Sequence, residues 1–132
     1  MVNFSSLEEA REFFRKDKFA ANTGIQIDKL DEVSCQCSLK LNDNHKNAVG
    51  GIMGGVIFTL ADFSFAVLSN HLHMPTVAQQ VSINYLSAPK GDKLIANAFF
   101  KKNGRSSSVI NVDICDDVGR DIVQFTGVGF KL

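Results

Sequence analysis

The sequence predicts an α+β fold in which an antiparallel sheet carries one long buried helix on its face. Three observations lead there. The stretch Asn47 to Asn70, NAVGGIMGGVIFTLADFSFAVLSN, passes from a run of glycines into a segment that is apolar on nearly every side, and such a helix needs apolar cover all round. Segments alternating with period two lie before and after it, as half-buried strands do. Those after it are separated by turn signals rather than further helices, which fits strands layered around one helix better than βαβ winding.

Taken in order, Ser5 and Ser6 each have a glutamate three residues on, Glu8 and Glu9, a doubled capping-box signal that starts an N-terminal helix. Leu7, Ala10, Phe13 and Phe14 share one face of it, and Arg15, Lys16 and Lys18 suit its C-terminal end. Gly24 punctuates. Ile25, Ile27 and Leu30 then lead through a hairpin turn at Asp31 and Glu32 into Val33, Cys35, Cys37, Leu39 and Leu41, an alternation that puts both cysteines on the inward face. Neighbours on one strand face cannot easily bridge, so the two are fillers and not a redox pair. Asn42 to Lys46 reads as a polar loop with a solvated His45.

After the central stretch, Leu72 to Pro75 connects to a strand over Val77 to Leu86, with Val77, Gln79, Val81, Ile83 and Tyr85 on its apolar side. His71 and His73 read as connection residues, since no further ligand lies near them to make a metal site. Ala88 to Asp92 is a turn, Leu94 to Phe100 a strand, and Lys101 to Arg105 a loop with a small basic cluster. A strand around Val109 to Cys115, a turn over Asp116 to Gly119 and a last strand from Ile122 to Phe130 complete a four-strand meander.

The 132 residues suit one domain, 1–132, with a sizeable core. Lys plus Arg and Asp plus Glu balance at 14 each, which removes any bulk electrostatic argument for nucleic acid or an anionic membrane as partner. Three cysteines without metal-ligand spacing suggest reduced thiols in a cytoplasmic protein, and no secretion signal is evident at the N-terminus. The run Val56 to Leu68 is shorter than the roughly 20 residues of a membrane span, and Asp62 interrupts it.

Chemistry concentrates in the central stretch. Gly50, Gly51, Gly54 and Gly55 allow close backbone approach at a helix start, where free N–H groups and the dipole together favour a developing oxyanion. No Gly-Lys-Ser/Thr follows, so a nucleotide-phosphate loop is excluded. At about 100° per residue, Thr59, Asp62, Ala66, Ser69 and Asn70 form the one polar stripe, with Phe58, Leu60, Phe63 and Phe65 around it. Asp62 is the only charge in the helix, and a carboxylate withdrawn from water is either a satisfied contact or a working base or nucleophile. It lies about two turns from Gly55, too far to share a substrate atom within one subunit, so a second subunit can supply the missing half.

Asn47-x-x-Gly50-x-x-Met53-Gly54-Gly55 followed by Leu60-x-Asp62 resembles the Asn-x-x-Gly-x-x-His-Gly-Gly-x-x-x-x-Leu-x-Asp motif of hotdog-fold acyl-CoA thioesterases of the phenylacetate-degradation (PaaI-like) type, within the 4-hydroxybenzoyl-CoA thioesterase superfamily. Ser82 to Leu86, Gly104-Arg105 and Gly127-x-Gly129-Phe130 extend the resemblance. It implies a curled antiparallel sheet of about six strands wrapped around a central helix at about residues 54–70, in homodimers or homotetramers with sites at the dimer interface. Asp62 of one subunit would activate water or attack the thioester carbonyl, and the Gly55 amide of the other, with Asn47, would polarise that carbonyl. Met53, Gly54, Phe58, Ala78 and Gln79 would line the substrate site, with Thr76 or Gln79 standing in for the Ser or Thr that the family often has near Ala78. Lys101, Lys102 and Arg105 would meet the phosphates of coenzyme A, which is part of the substrate; no metal or other cofactor is implied. Two departures stand out: Met53 occupies the position of the family's His, and Ala78 falls near that of a frequent Ser or Thr. A hotdog protein that binds acyl-CoA with little or no turnover is therefore the alternative reading, and a dehydratase fits less well because no histidine lies in the expected central helix.

Overall fold

The computed structural model describes all 132 residues. Helix α1 (Leu7–Phe14) is capped by Ser6, whose side chain accepts from the Glu9 N–H, while the Ser5 hydroxyl donates to the Glu9 carboxylate. The helix does not run on through Lys18. It stops at Phe14, and a second helix, α2 (Lys18–Thr23), begins after Asp17 and ends at Gly24. Aspartate is disfavoured in a helix interior, which fits a break at Asp17 where the basic residues alone suggested continuity, although its side chain makes no capping hydrogen bond to α2.

Six strands follow: β1 (Gln26–Leu30), β2 (Ser34–Lys40), β3 (Thr76–Tyr85), β4 (Lys93–Asn103), β5 (Ser107–Asp116) and β6 (Asp121–Lys131). They form one antiparallel sheet in the order β1-β2-β4-β5-β6-β3. Helix α3 (Gly54–Leu72) lies in the curl of this sheet and touches β2 through β6. Architecture and central helix match the fold expected from the sequence. The expected meander is only partly right, because β4, β5 and β6 follow one another but β3 pairs with β6, Thr76 opposite Lys131 and Tyr85 opposite Val123. The segment read as a hairpin turn between β3 and β4 is a crossing over the ends of β6 and β5. The Leu86 N–H donates to the Ile122 carbonyl, and those of Lys90 and Gly91 donate to the Asp116 carboxylate.

The inward strand residues Cys37, Leu39, Leu94, Ala96, Ile110, Val112, Ile114 and Phe125 bury against Leu60, Ala61, Phe65, Val67 and Leu68 of α3. Both inward cysteines are free thiols with Sγ atoms 3.7 Å apart. Phe65 lies so close to β6 that a Cβ on Gly127 would come 2.7 Å from its Cδ2, which is why that position admits no side chain. By length and apolarity alone α3 would suffice to cross a membrane, but 56% of its most apolar window is buried inside the fold.

Two histidines depart from expectation. His45 is not solvated: it is buried in a single 3-10 turn (Asp43–His45), where Nδ1 accepts the Asn42 N–H and Nε2 lies 2.8 Å from the Thr23 carbonyl oxygen. His71 is not in the connection, because α3 runs on to Leu72 and buries it against Phe4, ring on ring with centroids 5.7 Å apart. Burial holds its pKa below the usual imidazole value. In both cases local composition suggested polarity, and tertiary contacts supplied burial.

Candidate active site

One half of the site is the loop leading into α3. The Asn47 N–H donates to the Gly51 carbonyl at 2.7 Å, and Asn47 Oδ1 accepts from the N–H groups of Val49 and Gly51. Gly50 turns the chain with φ +88°, a conformation that disfavours a side chain. Oδ1 is thus committed to the loop, while Nδ2 keeps both donors free of partners in the chain.

The N–H groups of Val56 and Ile57 both reach the Met53 carbonyl, and those of Gly54 and Gly55 have no acceptor in the chain. Met53, the N-cap, has no side-chain oxygen to take them. Two unused donors therefore stand at the positive end of a 19-residue helix. Met53 is 53% exposed, with its Cε 3.4 Å from where a Cβ on Gly55 would sit. The Tyr85 hydroxyl, from the end of β3, donates to the Gly54 carbonyl at 3.0 Å and ties this helix start to the edge strand.

The other half lies further along α3. Asp62, Phe58, Thr59 and Ala66 of α3 line an open cleft of about 390 Å³ together with Asp17, Lys18 and Phe19 at the start of α2. Within the polar stripe, Thr59 donates its hydroxyl to the Gly55 carbonyl, and Asn70 donates to the Ala66 carbonyl while accepting the Thr76 N–H. Ser69, expected in the same stripe, is buried. Half-buried Asp62 has neither a hydrogen-bond donor nor an ion-pair partner. Burial pushes its carboxyl above the usual carboxylate range, and the charge of Asp17 pushes it further. Asp62 is seven residues beyond Gly55, about 10 Å along the axis.

The remaining candidates are dispersed. Phe58 joins Asp62 in the cleft, its ring edge-to-face with Phe125 at a centroid distance of 5.8 Å. Ala78 and Gln79 are exposed on β3, where a register shift between Ala78 and Gln80 breaks the regular alternation read through Val77, Gln79 and Val81. Lys101 and Lys102 are the exposed end of β4 and not a loop, with exposed Arg105 in the turn after it, and none of the three lines the Asp62 cleft. Thr76 is buried, with its hydroxyl donating to the His73 carbonyl. No three His, Cys, Asp or Glu side chains come together as a metal site.

Sequence reasoning passed over Tyr85, Asp17 and Phe19. Tyr85 was readable only as one more alternating strand residue. Asp17 carried a signal, an N-cap residue type between two apolar segments, and Phe19, 74% exposed on a short helix, acquires its position only from that restart.

The thioesterase superfamily matches residues 49–123, more than half of the chain and inclusive of α3. Acyl-coenzyme A thioesterase PaaI of Escherichia coli is 25% identical over 132 residues, covering 99% of this chain and 94% of that protein. Its structure superimposes with a TM-score of 0.87 over 96% of each chain. Human acyl-coenzyme A thioesterase 13 is 28% identical over 129 residues, 91% of this chain and 92% of that protein. A hypothetical thioesterase from Streptococcus pneumoniae, solved with coenzyme A, aligns with a TM-score of 0.83 at 30% identity, covering 90% of this chain and 94% of that one. The glycine-started central helix and the sheet curled around it thus belong to a chain of the thioesterase superfamily, a hotdog protein of the PaaI-like kind.

Proposed function

We propose that the protein is an acyl-CoA thioesterase that hydrolyses its substrate to a free acid and coenzyme A. The observation that carries this reading is Asp62, a half-buried carboxylate with no partner, facing a cleft. A structural aspartate at such a position would have donors around it. The names of the relatives point the same way, PaaI and thioesterase 13 as acyl-CoA thioesterases and the streptococcal structure as a coenzyme A complex.

In this mechanism Asp62 takes a proton from water as the water oxygen bonds to the thioester carbonyl carbon. The carbonyl oxygen becomes an oxyanion, held by the Gly55 N–H and an Asn47 Nδ2 donor. The tetrahedral intermediate re-forms the carbonyl, the carbon–sulfur bond breaks, and the thiolate leaves with a proton to give the coenzyme A thiol and the acid. Asp62 can equally begin as nucleophile, forming an anhydride that water then opens. Either route needs the carboxylate within a few ångströms of the carbonyl held at a helix start, which the axial separation forbids within one chain.

A second copy resolves this. β3 is a ten-residue edge strand, mostly exposed, with Val77 and Tyr85 on its surface and exposed Leu86 just beyond its end. A long unpaired edge with apolar residues is a template for pairing with another chain. Tyr85 links that edge to the start of α3, so pairing through β3 brings the Gly54-Gly55 donors toward the boundary between copies. Lys101, Lys102 and Arg105 are available for the coenzyme A phosphates.

The test is thiol release from acetyl-, hexanoyl-, palmitoyl-, benzoyl- and phenylacetyl-CoA by the purified protein beside Asp62→Asn. Turnover of at least one substrate, lost in the variant, is expected; undiminished turnover in the variant would remove Asp62 from the mechanism. One observation favours a second reading, acyl-CoA binding with little hydrolysis: the Met53 thioether occupies the ground beside Gly55 and offers no strong hydrogen bond. Saturable binding by a chain that releases no thiol from any of the five would support it.

A further inference from the structure

We propose that Asp17 is a positioning residue of the reaction, a second carboxylate that shares the cleft of Asp62 and acts on the proton transfer through it. The inference rests on the thioesterase reading above and adds a residue to it.

Three features of the fold carry it. Asp17 precedes α2 as its N-cap, yet its side chain makes no capping hydrogen bond, the use an aspartate ordinarily has there. It also forms no salt bridge, although Lys16 and Lys18 flank it. It lines the same cleft as Asp62. A carboxylate that declines both a helix start and two neighbouring ammonium groups, and stands where a working carboxylate stands, has its charge directed at the cleft. Burial raises the pKa of Asp17 itself, and its charge is a cause of the rise at Asp62.

Among the residues that line the cleft with Asp62, Asp17 is the one other acid, and Lys18 brings the opposite charge. From α2 the groups facing Asp62 are Asp17 and Lys18. On α3 the only other titratable side chain is His71, more than two turns away at the far end of the helix. The strands beneath α3 offer the buried free cysteines Cys35 and Cys37 from β2 and apolar side chains from β4, β5 and β6. β3 carries no acid, lysine, arginine or histidine. A base whose pKa is lifted toward the working pH transfers protons more effectively, so the charge at Asp17 adds to rate while costing activity only on the acid side.

The experiment is the pH profile of kcat/KM for thiol release, measured on the full chain with the best acyl-CoA of the panel above, for the parent, Asp17→Asn, Asp17→Glu and Asp62→Asn. Asparagine has nearly the shape of aspartate, and since the Asp17 side chain makes no capping hydrogen bond none is lost, so Asp17→Asn removes charge with little change of shape. Removing the negative charge lowers the pKa of Asp62, so the acid limb should move down by about half a pH unit. The plateau should fall about two- to threefold as the base weakens. Asp17→Glu should keep the parental limb, and about 0.5 M salt should narrow the gap between parent and Asp17→Asn. An acid limb unmoved in Asp17→Asn, or displaced equally in Asp17→Glu, would overturn the role given to Asp17 while Asp62→Asn is inactive. Full turnover by Asp62→Asn would remove Asp62 from the mechanism and this proposal with it, whereas a parent chain that releases no thiol from any acyl-CoA of the panel would overturn the thioesterase reading on which the proposal rests.

Discussion

Two aspartates in this protein occupy opposite environments, and the contrast separates a carboxylate that holds the fold from one that is free to react. Asp116, at the end of β5, is buried, and its two oxygens accept four backbone N–H groups, from Lys90, Gly91, Val118 and Arg120. Burial alone would raise its pKa, but these donors reverse the effect and bring it down to about 2. Asp62, at mid-helix, is half-buried, receives no donor and is pushed up. Burial acts in the same direction on both. What differs is whether backbone amides are spent on the charge, and the fold spends four on the turn and leaves the amides of Gly54 and Gly55 unspent at the helix start. An environment that strongly stabilises a carboxylate also disarms it as a base.

Replacing each in turn is the most forceful way to break this comparison. Asp62→Asn should lower kcat/KM at least a hundredfold, within the range removed with a positioned general base. Its thermal unfolding midpoint should hold or rise. The sign follows from the raised pKa: ionised Asp62 disfavours the folded state above that pKa, and the penalty vanishes below the ordinary carboxylate value. A variant that unfolded earlier and still turned over would exchange the roles of the two residues.

Asp116→Asn should do the reverse, leaving turnover per folded molecule unchanged and lowering the unfolding midpoint at neutral pH, since an amide presents one acceptor oxygen where four donors converge. The folded pKa of Asp116 lies below its unfolded value, so its contribution is complete above the ordinary carboxylate range and is lost as pH falls through about 2. Melting curves of parent and variant should therefore converge toward that pH; a gap that stayed constant would show that the charge is not what matters.

How much of this contrast could be read beforehand differs between the two aspartates. Asp62 was legible because a lone charge in an apolar helix is conspicuous in one dimension, and the glycines before α3 announced a helix start with free donors. Asp116 was read as an ordinary turn residue, since two of its four donors, Lys90 and Gly91, arrive from a segment more than twenty residues earlier. The same segment hid the sheet order: Ala88 to Asp92 has turn composition, and composition does not distinguish a hairpin from a crossing over strand ends. The six strands and the central helix follow from periodicity, which is local. The placement of β3 beside β6, the burial of His45 and His71, and the facing of Asp17 and Asp62 depend on what the chain meets after it has folded.

A smaller effect tests the frame that holds both residues. Gly127→Ala adds a methyl group against Phe65, which faces the core from α3 one turn beyond Asp62. Overpacking of this kind costs about 1–3 kcal/mol, measurable as a lower denaturation midpoint. If the helix shifts to make room, turnover should fall along with stability; if Phe65 alone rotates, stability falls while kcat/KM is kept. Loss of neither would mean that the close approach of α3 and β6 does not fix the helix.

The smallest expected change is at Met53, and it bears on whether the unspent amides are sufficient. Met53→His restores the polar ring that the resemblance leads one to expect, at a position that is exposed and already has the extended backbone of an N-cap. The donors proposed for the oxyanion, the Gly55 N–H and Asn47 Nδ2, are set by the helix start and by the Asn47 loop, and neither depends on the side chain at this position. A site whose donors are already in place should gain less than about tenfold in kcat/KM from an imidazole beside them, whereas a missing acid–base group is worth 10²–10⁴-fold. A gain in that larger range would mean that free amides and an unpartnered carboxylate are not by themselves a working pair, and that Met53 keeps the parent protein a binder of acyl-CoA rather than a hydrolase.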